Sequence, residues 1–200
     1  MEACFLFCQL LDLSKIFCYN KSMTPYYEWE PKKNKFVVKR KRPPKRKIAV
    51  RYQIAKNSDK EAILRFQVEA EESEPEIWES SEIENLKRTF KAIDFEKENN
   101  NFKVILAIAD NKVVGTLSMS WYFCLESGGM VGVISGIFVL KNYRLAGIGT
   151  GLIEFAKREF RKLVVKKIEL IVGLDNLAAL AFYKKLGFKI KKIGYATYWF

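Results

Sequence analysis

Apolar and polar positions first fall into a regular pattern at Lys47. In "KIAVRYQIA", Ile48, Val50, Tyr52 and Ile54 share one face, the two-residue period of a half-buried strand. Asp59 then stands as N-cap for a helix over "KEAILRFQVEAEE", and Pro75 parts it from a second helical stretch, "EIWESSEIENLKRTFKAI". Asn99 to Asn101 end that unit. "FKVILAIAD" and "VVGTLSMSWYFC" flank "NK" and predict a β-hairpin, and "GMVGVISGIFVL", bounded by Gly128 and Gly129, is a third β-branched run. A helix follows to about Val164, then a strand "KKIELIV", a helix "NLAALAFYKKL", and two closing strands, "FKIKKI" and "YATYWF". The order is β-α-α-β-β-β-α-β-α-β-β. Hairpins followed by a strand–helix–strand unit, which must be parallel, predict an α/β (α+β) fold. Its sheet is mixed and mostly antiparallel, of about seven strands.

Composition places most of the charge outside that pattern. The chain carries +12 formally, with residues 1–31 at −2 and residues 32–51 at +11, which leaves +3 for residues 52–200. Residues 1–46 therefore read as an N-terminal extension, an apolar cysteine-bearing piece followed by a flexible basic arm, and residues 47–200 as one domain. Met23 is a candidate true start, a reading that intact mass of the native protein would settle. No apolar run reaches the eighteen or so residues of a membrane span. The opening "MEACFLFCQLLDLSKIF" has Glu2 where a signal peptide carries positive charge, so the expected compartment is the cytoplasm. Cys4, Cys8 and Cys18 lack a fourth ligand nearby and the chain has no histidine, so no metal is expected.

"RLAGIGTGLIEF" crowds Gly147, Gly149 and Gly151 into the start of a helix whose apolar stripe runs through Ile148, Leu152, Phe155, Ala156 and Leu163. Glycine inside a helix costs roughly 1 kcal/mol against alanine. Unpaired N–H groups at a helix start, with the helix dipole behind them, form an anion site that glycine lets a ligand approach closely. Arg144 can add a cation there. A glycine-rich turn with tight helix–strand packing explains the same residues. The absence of G-K-[ST] excludes a P-loop, and the spacing does not fit G-x-G-x-x-G. Further on, Asn176 and Tyr183 lie seven apart, on nearly one helical face and about 10 Å along the axis. By themselves they read as a helix cap and a core aromatic.

Together these stretches resemble the GNAT superfamily of acyl-CoA-dependent N-acetyltransferases. "RLAGIG" follows that family's R/Q-x-x-G-x-G/A motif through Arg144, Gly147 and Gly149. Asn176, Ala179, Phe182, Tyr183, Lys185, Gly187 and Phe188 follow its N-x-x-A-x-x-(L/F)-Y-x-K-x-G-F motif. The resemblance spans residues 47–200 and implies helices on both faces of the sheet, with a parallel strand pair splayed around acetyl-CoA. It implies that the backbone N–H groups of Leu145, Ala146, Gly147, Ile148, Gly149 and Thr150 hold the diphosphate. Ile137, Phe138 and Val139 would lie along the pantetheine arm, with the Val139 N–H polarising the thioester carbonyl. Asn176 would bond near the pantetheine or the edge of the following strand, and Tyr183 would protonate the departing thiolate.

The base is not supplied by "GMVGVISGIFVL", which carries no carboxylate. Glu126, or an acid in "EAEESEPE", is the candidate, directly or through water, though each also reads as a solvated surface acid. A site without a strong base favours the α-amine of a peptide or protein over lysine or a small-molecule amine. The acidic stretch from Glu69 to Glu84 would attract a cationic acceptor, and it reads equally as a solvated helix face. "KKNKFVVKRKRPPKRK", with Tyr26, Tyr27 and Trp29 nearby, is dense enough to contact RNA or the ribosome. A different class of protein therefore fits the same chain: a nucleic-acid- or ribosome-binding protein whose acyl-CoA domain senses ligand without catalysis. A homodimer is compatible with either reading.

Overall fold

The computed structural model describes residues 26–30, 35–39, 48–75, 87–98 and 100–191. Within the extension, Tyr26–Glu30 (β1) pairs antiparallel with Lys35–Lys39 (β2) as a separate two-stranded sheet, where the sequence reads as a flexible arm. The main sheet is built from Arg51–Ile54 (β3), Phe102–Ala109 (β4), Lys112–Cys124 (β5), Gly129–Val139 (β6) and Lys167–Leu170 (β7). They lie in that order. Every neighbouring pair is antiparallel except β6 and β7, which are parallel.

The β4–β5 turn falls on Asp110 and Asn111, both at positive φ (51° and 59°), one residue before the "NK" expected to form it. That pair of angles belongs to a two-residue turn matched to strand twist, and Asp and Asn tolerate it better than most residues. β3 starts at Arg51, so Ile48 and Val50 pack against the core without joining the ladder.

Lys60–Ser73 (α1) covers one face of the sheet. Its Ile63, Phe66 and Ala70 pack with Val104, Leu106, Phe138 and Leu140, and with Phe90 and Phe95 from beyond α1. Ile148–Lys162 (α2) and Leu177–Lys185 (α3) cover the other, where Ile148, Leu152, Ile153, Ala156 and Phe160 meet Ile105, Ala107, Leu117, Met119 and Ile134. Alternate residues of β4 thus feed opposite cores. This is why "VILAIA", residues 104–109, is apolar at successive positions and not at every second one. Each fully buried Phe, Leu or Ile contributes about 1.5–3 kcal/mol.

Several expectations need correction. Asp59 stands at the N-cap of α1 as expected, but its side chain bonds no N–H of that helix. It closes a 3-10 turn, Asn57–Asp59, and its carboxylate reaches back to the Lys56 N–H at 2.9 Å and the Gln53 amide at 3.2 Å. Of the second helical stretch, residues 87–92 are helical and 76–86 lie outside the described residues. Residues 188–191 of the expected strand "FKIKKI" form no ladder, and "YATYWF" lies outside the described residues, so the main sheet described has five strands.

Candidate active site

Two features part the end of β6 from β7. Ser118 pairs with Gly136 and Met119 with Ile134, so Ser135 is an extra residue that bends the strand. β7 then pairs only with Val131 through Ile134, while β6 runs on to Val139 along β5. The Leu140 N–H bonds the Val114 carbonyl on β5 at 3.0 Å. By alternation the N–H and C=O of Val139 face the other way, toward the side that β7 has left.

Because β6 and β7 are parallel, the segments that follow them emerge at one edge of the sheet. After β6 come a 3-10 turn, Lys141–Tyr143, then Arg144 in extended backbone, Leu145 at φ 64° and Gly147 at φ 88°, the N-cap of α2. Gly151 N–H is the first to bond back, to the Gly147 carbonyl at 3.0 Å, so helix geometry leaves Ile148, Gly149 and Thr150 without intrahelical acceptors. No acid stands in the first turn, and Arg161 and Lys162 occupy the last, so the charges run with the helix dipole. After β7, Asn176 starts α3 at the same edge.

The three glycines serve different ends. Gly147 needs its left-handed backbone, and a Cβ there would meet nothing within 4 Å. Gly151 is a packing position: a Cβ would lie 2.0 Å from the Tyr52 hydroxyl, which bonds the Ile148 carbonyl at 3.5 Å. At Gly149 a Cβ would sit 3.3 Å from the Phe182 ring, so the first turn of α2 lies close against α3.

Asn176 caps α3 by accepting from the Ala179 N–H at 3.0 Å. Its Nδ2 is buried and has no hydrogen-bond partner among the described residues. A buried amide left unpaired costs about 1–3 kcal/mol, and a carbonyl-bearing ligand at this edge would recover it. Tyr183, 3 % exposed, stands in the same core as Val139 and Ile148, with Phe182 and Phe188 rings at 5.3 and 5.7 Å.

Two expected roles do not match their side chains' positions. The Arg144 guanidinium turns away from the loop: Nε donates to the Val139 carbonyl at 2.8 Å, and Nη1 and Nη2 grip the Glu74 carboxylate, Nη1 at 2.9 Å. Arg144 therefore brings its backbone, not its charge, to the loop, and sequence separation hid the partner. Glu126 lies exposed in the β5–β6 turn and accepts from Cys124 Sγ at 3.2 Å. The strand from Gly129 to Ile137 spans about 26 Å at roughly 3.3 Å per residue, so Glu126 stands far from the loop that follows β6. Backbone and Cys124 hydrogen bonds hold its carboxyl below the usual range, which weakens it further as a base. In the acidic stretch, Glu74 is taken by Arg144, and Glu69 pairs with Lys112 at 2.5 Å.

The fold is one that this chain shares with known proteins. The model of the Acetyltransferase (GNAT) family matches residues 63–188. The chain belongs to the GNAT acetyltransferase family. A protein named N-alpha-acetyltransferase from Saccharolobus solfataricus is 36 % identical over 95 residues, 44 % of this chain and 57 % of that one. An uncharacterized N-acetyltransferase of Methanocaldococcus jannaschii is 45 % identical over 67 residues, 32 % of this chain and 28 % of its own length. The matched part thus spans less than two thirds of these curated relatives. Among solved structures, a possible acetyltransferase from Clostridium difficile superposes with a TM-score of 0.61 at 22 % identity, covering 76 % of this chain and 97 % of that one. A ribosomal-protein-alanine N-acetyltransferase from Brucella melitensis gives 0.58 at 13 % identity, with 76 % and 99 % covered. At such identities the likeness is one of fold. Members of the GNAT family use acetyl-CoA as co-substrate.

Proposed function

We propose that this GNAT domain transfers an acetyl group from acetyl-CoA to a primary amine, with the α-amine of a peptide or protein as preferred acceptor. The observation that carries the reading is the early end of β7 at Leu170, opposite Ile134, while β6 continues to Val139 and on to the bare start of α2. The N–H groups of Ile148, Gly149 and Thr150, with the Leu145–Gly147 backbone, fit a diphosphate. Val139 and the unpaired Asn176 Nδ2 fit the amides of a pantetheine arm.

Acetyl-CoA supplies an acetyl group activated as a thioester. The Val139 N–H is aligned before reaction and stabilises negative charge as it grows on the thioester oxygen, at no cost in reorganisation. The Tyr183 hydroxyl delivers a proton to the departing sulfur. With Glu126 remote and Glu74 committed to Arg144, no strong base is assigned, and the acceptor has to arrive largely neutral. That requirement favours an α-amine. The names of the Saccharolobus relative and of a Sulfurisphaera tokodaii protein, 33 % identical over 95 residues, support the same acceptor class.

The test is calorimetric titration of coenzyme A, followed by thiol release from acetyl-CoA with peptides bearing free N-termini, N-blocked lysine peptides and polyamines. Coenzyme A binding with turnover on free N-termini is the expected result. Turnover confined to lysine or polyamines would overturn the acceptor, and no binding would overturn the reading.

A further inference from the structure

The contact that turns the Arg144 side chain from the loop ties the end of α1 to the end of β6. Glu74 ends α1, with its N–H bonded to the Ala70 and Glu71 carbonyls. Its carboxylate crosses to a residue seventy positions later. Glu74 is buried at 3 % exposure and the Arg144 side chain is partly buried at 11 %. The guanidinium also lies over the Phe138 ring, 5.2 Å from its centroid. Every nitrogen of the fork is occupied, two by Glu74 and Nε by the Val139 carbonyl.

From this arrangement we infer that Glu74 is a positioning residue for the cofactor cleft: through Arg144 it fixes the end of β6 and the entry to the α2 loop. The Val139 carbonyl shares its peptide-side orientation with the Val139 N–H, so clamping one aims the other. The same clamp sets where Leu145 begins the turn toward Gly147. A guanidinium already neutralised by a buried carboxylate offers little to a diphosphate, so its worth to the site is geometric. Stability alone does not require the pair, because well-packed apolar residues often replace a buried ion pair without loss. The inference rests on the acetyl-CoA reading for its catalytic consequence and on the ligand-free fold for its structural one.

Four variants separate the roles, each assayed below its own melting temperature. Arg144→Lys keeps the charge but cannot grip Glu74 in a fork while also reaching Val139. A diphosphate-binding cation would survive that change; a clamp does not. The kcat/KM for acetyl-CoA is expected to fall about 10- to 100-fold in Arg144→Lys, Arg144→Gln and Glu74→Gln alike, the size of effect a misplacement near 1 Å produces. The double variant Glu74→Leu with Arg144→Met is expected to regain thermal stability and not kcat/KM.

Amide hydrogen exchange without coenzyme A supplies the second readout. Exchange across Val139–Gly149 is expected to quicken in Glu74→Gln. Tighter coenzyme A binding by Glu74→Gln, full activity in Arg144→Lys, or unaltered exchange would each overturn the clamp. A wild-type protein that binds no coenzyme A would instead overturn the acetyltransferase reading, and exchange alone would then decide the clamp.

Discussion

At Tyr183 burial and chemistry pull against each other. A phenol near pKa 10 passing its proton to a thiolate near 8.5 goes uphill by roughly 2 kcal/mol before any environment acts. The ring is nearly closed off between Phe182 and Phe188. Tyr183→Phe keeps the ring and removes only the hydroxyl, so turnover should fall about 10²-fold, within the usual range for a general acid. Steady-state kinetics where chemistry limits the rate checks this, and unchanged turnover would remove the role. Tyr52 makes the contrasting case. Burial raises its pKa above 10, so the folded state favours the protonated phenol. Its contribution is complete below pH 10 and is lost as pH climbs through the raised value. Tyr52→Phe should flatten the alkaline arm of the stability curve, measured by denaturant unfolding from pH 9 upward. Gly151→Ala puts a methyl group against the same hydroxyl, and should destabilise by about 1–3 kcal/mol.

At the scale of elements, side-chain alternation was legible where a ladder also formed, and misleading where it did not. Phe188 and Ile190 are half-buried between exposed Lys189 and Lys191, just as "FKIK" suggests, yet residues 188–191 find no strand partner. Alternation records which way side chains face; a strand also needs a neighbour's hydrogen bonds. The glycine cluster carried a similar ambiguity. Its left-handed cap at Gly147 and its packing contact at Gly151 have the same one-letter signature, and only the position of Tyr52, almost a hundred residues earlier, separates them. The Arg144 side chain, expected to face the loop as a cation, binds Glu74 and the Val139 carbonyl, and the distance to Glu74 in sequence kept that contact out of sight. What β6, β7 and α2 jointly predict is a local effect of ligand. Coenzyme A should slow amide exchange at Ile148, Gly149 and Thr150, with little change along α1, and protection spread evenly over the chain would argue against an α2 anion site.

For the whole molecule, the proposed acceptor rests on which amines are neutral at working pH. Among the described residues Glu126 stands far from the α2 loop and Glu74 is committed to Arg144, so the proposed mechanism leaves proton removal to solvent. About one α-amine in ten is unprotonated at pH 7, against about one lysine in 2,500, a difference of roughly 250-fold before any contact is counted. With a peptide N-terminus as acceptor, kcat/KM should climb about tenfold per pH unit up to pH 7 and level off near pH 8, where the α-amine itself titrates. With an N-blocked lysine peptide it should start far lower and still be rising at pH 9. The pair of profiles is more telling than either rate, because a buried base would shift both curves to lower pH together. Solvent-limited deprotonation leaves them separated by the gap between the two amines' own pKa values. Coincident profiles would mean that an unassigned carboxylate reaches the acceptor, and the preference for N-termini would then have lost its physical ground.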